Sequence, residues 1–223
     1  MKANEIKNGR GQLPSQQLLA DIGNTHFHIY NGERVEHLLY LDAIAKYRGE
    51  KLYYISVKHQ FNADIAGIKN WKDISSSVHI EGEYETMGVD RRALCLSHEN
   101  GLFIDAGSAI TVDVVEEGVY GGGYIFPGLK SMLKGYKEIS PVLSAELDTK
   151  IDLDHLPLTT KEQISYGIIA SIKALIDKHR NGNKLYFTGG DGKFLSHFFE
   201  RAVYDEMLVF DGMRKVIKES KIC

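Results

Sequence analysis

The sequence predicts an α/β protein made of two halves with the same element order, strand-strand-strand-helix-strand-helix (βββαβα), the second half carrying one inserted helix. Three observations predict it. An apolar run ending in Asp-x-Gly and a small polar residue occurs twice, and Leu18-Leu19-Ala20-Asp21-Ile22-Gly23-Asn24 lies over Leu102-Phe103-Ile104-Asp105-Ala106-Gly107-Ser108 without a gap. Each run leads into alternating residues and a turn, His26 to Tyr30 before Asn31-Gly32 and Ile110 to Val115 before Glu116-Glu117-Gly118, the pattern of antiparallel hairpins. Each is followed by stretches of helical spacing interleaved with short apolar runs. Repetition of this kind decides the architecture, because two similar units then share one design.

In chain order, residues 1–17 lack apolar periodicity and read as a polar N-terminal extension. The N-terminal half, 18–100, opens with a strand at Leu18 to Ile22, a hairpin partner at His26 to Tyr30 and a third strand at Val35 to Leu39. A helix follows around Asp42 to Tyr47, then a buried strand at Leu52 to Val57, a helix across His59 to Asn70, a strand at Val78 to Ile80 and a helix beginning near Val89. The C-terminal half, 101–223, has strands at Leu102 to Ala106, Ile110 to Val115 and Val119 to Phe126. A helix starts after Pro127, which suits a first-turn proline. Ile164, Ile168, Ile172, Leu175 and Ile176 recur at three- and four-residue spacings and predict a long helix from Thr160 to Arg180. The remainder reads as a strand at Lys184 to Phe187, a helix at Lys193 to Arg201, a strand at Met207 to Phe210 and a helix at Gly212 to Lys221.

Composition narrows the function classes. A chain of 223 residues with 43% hydrophobic and 26% charged content holds one large domain or two small ones, and excludes disordered and fibrous readings. A formal charge of −3 gives no general attraction to nucleic acid or anionic membrane, so any anionic ligand must be held by a local site. No apolar run approaches a membrane span, and the polar first residues lack the apolar core of a signal peptide, which predicts a cytoplasmic protein. Cys95 and Cys223 have no spacing of a metal site and read as a core thiol and a tail thiol.

The repeated turns suit a nucleotide. Glycine admits backbone N–H groups to phosphate oxygens, Asn24 and Thr25 add donors, and the Asp21 carboxylate can hold Mg²⁺ or its waters. Two facing turns, at Asp21-Gly23 and Asp105-Gly107-Ser108, can clamp a phosphate chain between the halves. Thr188-Gly189-Gly190-Asp191-Gly192 is a third place where backbone can approach a ligand. Gly88-Val89-Asp90-Arg91-Arg92 before a helix at Ala93 to Glu99 reads either as a helix-start acid with solvated neighbours or as a carboxylate that accepts a hydroxyl proton beside a guanidinium that grips an anion bidentately. Gly121-Gly122-Gly123 lets a strand pass closely beneath a ligand. His26 and His28 share one strand face, but no third ligand nearby in sequence completes a metal site.

Six segments in order, DIGNT from Asp21, GVDRR from Gly88, DAGSAITVD from Asp105, GGYIFPGL from Gly122, TTKEQISYG from Thr159 and TGGD from Thr188, resemble the type III pantothenate kinases over nearly the whole chain after Leu18. The resemblance implies the fold of acetate and sugar kinases, Hsp70 and actin, two ribonuclease H-like halves with ATP between them. It further implies ATP-dependent phosphorylation of pantothenate, the first step of coenzyme A synthesis, by a homodimer needing Mg²⁺ and a monovalent cation, K⁺ or NH₄⁺. By that resemblance Asp21, Ile22, Gly23, Asn24, Thr25, His26, Phe27 and His28 form the ATP phosphate loop, Asp21 is the Mg²⁺-associated carboxylate and Ser108 is a second ATP contact. Asp90 is the proton acceptor. Gly88, Val89, Asp90 and Arg91 form the pantothenate segment, with Tyr84 and Thr160 as further contacts, and Asp105 is the monovalent-cation ligand. The chain departs from the family pattern with His28 where Lys is frequent and Ser108 where Thr is usual. A kinase of another small hydroxylated acid or sugar, and a non-catalytic nucleotide-binding regulator of the same fold, are the competing readings.

Overall fold

The computed structural model describes residues 17–23, 26–57 and 65–221. Residues 1–16, Asn24 and Thr25 of the expected phosphate loop, half of the helix expected across 59–70 and the tail thiol Cys223 lie outside the described residues.

Two five-stranded sheets carry the same topology. In the first, β1 (Leu18–Ile22) pairs antiparallel with β2 (Phe27–Tyr30) and β2 with β3 (Val35–Leu38). Helix α1 (Tyr40–Tyr47) then crosses to β4 (Leu52–Ser56), parallel to β1, and β5 (Trp71–Asp73) lies parallel to β4. In the second, β6 (Gly101–Ala106), β7 (Ala109–Glu116) and β8 (Val119–Pro127) form the antiparallel meander. Helices α3 (Leu129–Ile139) and α4 (Thr160–His179) cross to β9 (Leu185–Thr188), and α5 (Gly192–Ser196) leads to β10 (Val203–Tyr204). Both sheets have the order third-second-first-fourth-fifth, so the duplication read from two Asp-x-Gly turns extends to strand direction and neighbour.

In each half the fifth strand is followed by a helix, α2 (Val89–Cys95) and α6 (Leu208–Glu219), and these two helices pack on each other between the sheets. Their approach requires glycine: a Cβ on Gly212 would stand 1.8 Å from the Ala93 carbonyl oxygen. Strand alternation then sorts the side chains. Leu19, Tyr53 and Ile55 of the first sheet and Phe103, Val115 and Tyr186 of the second face this central layer. Ala20, Ile22, Leu52 and Tyr54 face an outer core with α1 and Trp71. Leu102, Ile104, Val112 and Phe187 face an outer core with α3 and α4. Asp21 has the parity of Leu19, and Asp105 that of Phe103, so both carboxylates belong to the inner faces.

Several boundaries differ from expectation. The fifth strands are Trp71–Asp73 and Val203–Tyr204, not Val78 to Ile80 and Met207 to Phe210. Val78 and Ile80 form a buried loop, and Leu208 to Phe210 are the first turn of α6, all in the central core. A short apolar run signals burial, and burial here is supplied by the central layer rather than by strand pairing. The helix expected to begin near Val89 is α2, so GVDRR forms its start rather than preceding a helix at Ala93 to Glu99, and it ends at Cys95. Pro127 is the last residue of edge strand β8, where a missing N–H costs no ladder bond, and Gly128 caps α3. Helix α5 stops at Ser196 instead of running to Arg201. Cys95 is a buried core thiol, as expected. No described helix is long and apolar enough to cross a membrane.

Candidate active site

Asp21 and Asp105 end β1 and β6, beside the carboxyl ends of the parallel strands β4 and β9, where open α/β sheets place ligands. A cleft of about 280 Å³ opens there, lined by Asp21, His26, His28, His37, Asp105, Thr188, Gly189, Gly190, Tyr204, Glu206 and the apolar Val35, Val209 and Phe210. Residues from both halves form it; of the two Asp-x-Gly turns, the aspartates line it, whereas Gly23, Gly107 and Ser108 are not among its lining residues. Gly189 has φ +83°, and a Cβ there would stand 2.4 Å from Asp105 Oδ1 and 2.6 Å from the Ala106 carbonyl oxygen. The TGGD turn is thus pressed against the Asp105 carboxylate, a closeness that only glycine permits.

Asp90 enters from the central layer. It lies in the first turn of α2, and its Oδ1 accepts the Arg91 N–H at 2.8 Å. A Cβ on Gly88 would stand 2.4 Å from the same oxygen, so the glycine of GVDRR makes room for the carboxylate two residues on. Burial raises the pKa of Asp90, while the Arg91 N–H and guanidinium act in the opposite direction.

Arg91 is itself buried and bound to Asp113 of β7. Its Nε donates to Oδ2 at 3.0 Å and its Nη2 to Oδ1 at 2.5 Å, a bidentate pair with Asp113 fully buried. Nη1 donates to the Tyr84 hydroxyl at 2.5 Å, and Nη2 lies 3.4 Å from the Tyr120 hydroxyl. Of five guanidinium N–H groups, these bonds leave one on Nη1. The expectation that Arg91 grips a substrate anion bidentately is therefore corrected, because Asp113 occupies that fork. Gly123 of the triple glycine fits this network: a Cβ there would stand 2.5 Å from Asp113 Oδ1 and 3.1 Å from the Tyr120 hydroxyl.

The carboxylates are short of positive charge. Burial, with Asp90 and Asp105 adding repulsion, pushes Asp21 well above the carboxylate range, and burial with Asp90 and Asp113 pushes Asp105 up to about 7. Asp21 Oδ1 is buried without a hydrogen-bond partner, as is Thr111 Oγ1, the register partner of Asp105. An orphaned carboxylate oxygen among repelling acids fits a cation. Among the described residues no group of three or more His, Cys, Asp or Glu side chains is arranged to hold a metal ion.

The Asp105 shift has a consequence for stability. In the unfolded chain an aspartate loses its proton near pH 4, so between that value and about 7 the folded state holds one more proton and stability falls as pH rises. His28, lowered to about 4, contributes in the opposite direction below about pH 6.5, so the Asp105 share is read against Asp105→Asn. Without added cations, the melting temperature of the wild type should fall relative to that variant between pH 5 and pH 8, and a difference independent of pH would contradict the burial of an uncompensated Asp105.

The histidines stand on the other wall. His28 Nδ1 and His37 Nδ1 are 2.6 Å apart, and His26 and His28 have ring centroids 6.4 Å apart. Burial, followed by the His37 and His26 charges, lowers His28 to about 4, so it is neutral at ordinary pH.

A family model of type III pantothenate kinases matches residues 55–181. A type III pantothenate kinase of Helicobacter hepaticus is 43% identical over 203 residues, 91% of this chain and 98% of that protein. The chain belongs to the type III pantothenate kinase family. A solved Campylobacter jejuni structure described as a Baf family transcriptional activator is 36% identical, with a TM-score of 0.84 over 92% of this chain and all of that one. A Sinorhizobium meliloti structure described as a 2-dehydro-3-deoxygalactonokinase, 9% identical, superposes with a TM-score of 0.55 over 92% of this chain and 99% of that one. That likeness shows the fold, two ribonuclease H-like halves of the sugar-kinase type.

Within this family member, the fold brings Asp21, His26, His28 and Asp105 to one cleft, places Gly23 in the β1–β2 turn where its N–H donates to the His26 carbonyl at 3.1 Å, and couples Asp90 electrostatically to both acids. Tyr84 is bound to Arg91. Ser108 sits in the turn between β6 and β7, where its carbonyl accepts the Gly128 N–H. Ile22 and Phe27 send their side chains into the outer core, and Val89 into the central core, leaving only their backbones to a ligand. Thr160 is exposed at the start of α4, whose apolar face packs on the outer side of the second sheet, opposite the carboxylates. Asp113, Tyr120 and His37 were not singled out by sequence reasoning. An acid at alternate parity in the apolar strand Ile110 to Val115 was the available sign of Asp113.

Proposed function

We propose that the chain transfers the γ-phosphoryl group of ATP to the primary hydroxyl of pantothenate, the first step of coenzyme A synthesis, in the cytoplasm. The observation that carries this reading is Asp90, buried in the first turn of α2 beside Arg91 and electrostatically coupled to Asp21 and Asp105, two inner-face carboxylates that line a cleft formed by both halves. Phosphoryl transfer to an alcohol demands alignment and charge neutralisation more than covalent chemistry. Asp90 accepts the hydroxyl proton, and its raised pKa makes it a stronger base than an exposed aspartate. Arg91 holds the α2 segment against Asp113 and offers its remaining N–H, with Tyr84, to the substrate. Mg²⁺ associated with Asp21 and a monovalent cation, K⁺ or NH₄⁺, at Asp105 supply positive charge for the phosphates when bound. Asn24 and Thr25 of the first turn and Ser108 of the second are the further phosphate contacts.

The reading includes a homodimer. An apolar groove of about 320 Å³ between α3 and α4 is lined by Phe126, Met132, Tyr136, Ile139, Ile168 and Ile172. Val142, 81% exposed, sits in a turn packed against both helices, and Ile139 is 75% exposed. Two such faces pack on one another, and Thr160 at the head of α4 serves as a substrate contact across that dimer.

The description of the Campylobacter jejuni structure as a transcriptional activator favours a second reading, a nucleotide-binding regulator. A net charge of −3 and an intact set of inner-face acids weigh against it. ATP consumption separates the readings: pantothenate stimulates it and sugars do not, with K⁺ giving faster turnover than Na⁺. No stimulation by pantothenate contradicts the proposed substrate, and equal rates in K⁺ and Na⁺ leave Asp105 without a cation role.

A further inference from the structure

The imidazole pair on the β2–β3 wall goes beyond the contacts the family resemblance implies. His28 and His37 are register partners, His28 lines the cleft two residues from His26, and its Nδ1 is engaged by His37 Nδ1 at 2.6 Å. We infer that His37 is a positioning residue for nucleotide binding, holding His28 in the tautomer that donates its Nε2–H to a phosphate oxygen. This rests on the proposed reading of the cleft as the ATP phosphate site.

With His28 neutral, its Nδ1···Nδ1 hydrogen bond to His37 requires one Nδ1 to carry the proton and the other to accept it. If His37 donates, His28 Nδ1 is bare and His28 Nε2 carries its single proton. If His28 donates, Nε2 is a lone pair, which repels a phosphate oxygen. An anionic ligand therefore selects the first arrangement, and His37 is the group that fixes it, as the partner of one ring nitrogen sets the role of the other. His28 is lowered to about 4 and so has one N–H to place rather than a full charge, which makes the choice of tautomer decide whether this wall attracts phosphate at all. The edge-to-face packing of the rings, centroids 4.8 Å apart, keeps the pair aligned.

His37 is exposed, so substitutions there leave the cores intact. The test compares wild type with His37→Phe, which keeps a ring without a donor, and His37→Asn, whose side-chain amide donates from nearly the Nδ1 position. Affinity for a non-hydrolysable ATP analogue with Mg²⁺ is measured by titration calorimetry, alongside KM and kcat. His37→Phe should weaken analogue binding and raise KM for ATP by about 5- to 10-fold, part of the effect of one hydrogen bond to a charged group, with kcat and KM for pantothenate within about twofold. His37→Asn should recover most of the loss, and histidine ¹⁵N shifts of the wild-type complex should show a bare Nδ1 and protonated Nε2 on His28. Wild-type affinity in His37→Phe, a His37→Asn variant as weak as His37→Phe, or the opposite tautomer would overturn the inference. Failure of the wild type to bind the analogue would overturn the nucleotide reading, and this inference with it.

Discussion

Asp90→Asn should leave the fold and nucleotide binding intact while lowering turnover by about 10² to 10⁴, the usual loss when a general base is removed. The amide occupies the same space beside Gly88 and can still accept the Arg91 N–H, so the first turn of α2 is retained. What it cannot do is take a proton. Removing one negative charge also relieves Asp21 and Asp105, whose acidities Asp90 weakens, so analogue affinity in the variant should equal or exceed that of the wild type. Loss of kcat with unchanged or tighter nucleotide binding is the signature of a base. Near-native turnover would exclude Asp90 from that role, and parallel loss of binding and turnover would make it a structural acid.

Asp113→Ala should be the most destabilising substitution near the site. It leaves the Arg91 guanidinium, 7% exposed, with its two principal acceptors gone, and breaking one side of a buried ion pair costs about 3 to 5 kcal/mol. For a chain of this length the melting temperature should fall by roughly 10 °C. Freed from Asp113, Arg91 no longer holds Tyr84 in place, so KM for pantothenate should rise in whatever folded fraction remains. Urea unfolding and steady-state kinetics on the same preparation separate the two effects. A variant as stable as wild type would show that the Arg91 guanidinium is not left buried without acceptors when Asp113 is removed, and would contradict its reading as a committed buried partner.

Much of this was legible in the sequence because the motif residues are tied to backbone geometry. The Asp-x-Gly turns were readable in both halves, since a carboxylate at a strand end followed by glycine is local information. The same holds for Gly88 and Gly189, whose missing Cβ atoms make room for Asp90 and Asp105. The fifth strands were not legible. They are three and two residues long, and the stronger apolar signals of Val78 to Ile80 and Leu208 to Phe210 come from a central layer that exists only when the halves are together. Arg91 shows the same limit at the site. Its neighbours in sequence suggested a free guanidinium, whereas its partner is 22 residues away on β7, and no local pattern announces a pair formed across a helix and a sheet. The His28–His37 contact is likewise a matter of register between β2 and β3, and the one visible sign was histidine where the family often carries lysine.

On the proposed reading, this cleft makes phosphorylated pantothenate. The most direct measurement is mass-spectrometric detection of the product from the purified chain incubated with pantothenate, Mg²⁺, K⁺ and ATP carrying an isotopic label in its γ-phosphate. One labelled phosphate on pantothenate is expected, with stoichiometric ADP and about 10²- to 10⁴-fold less product from the Asp90→Asn variant over the same time. Bound ATP with no labelled pantothenate under these conditions would contradict that reading.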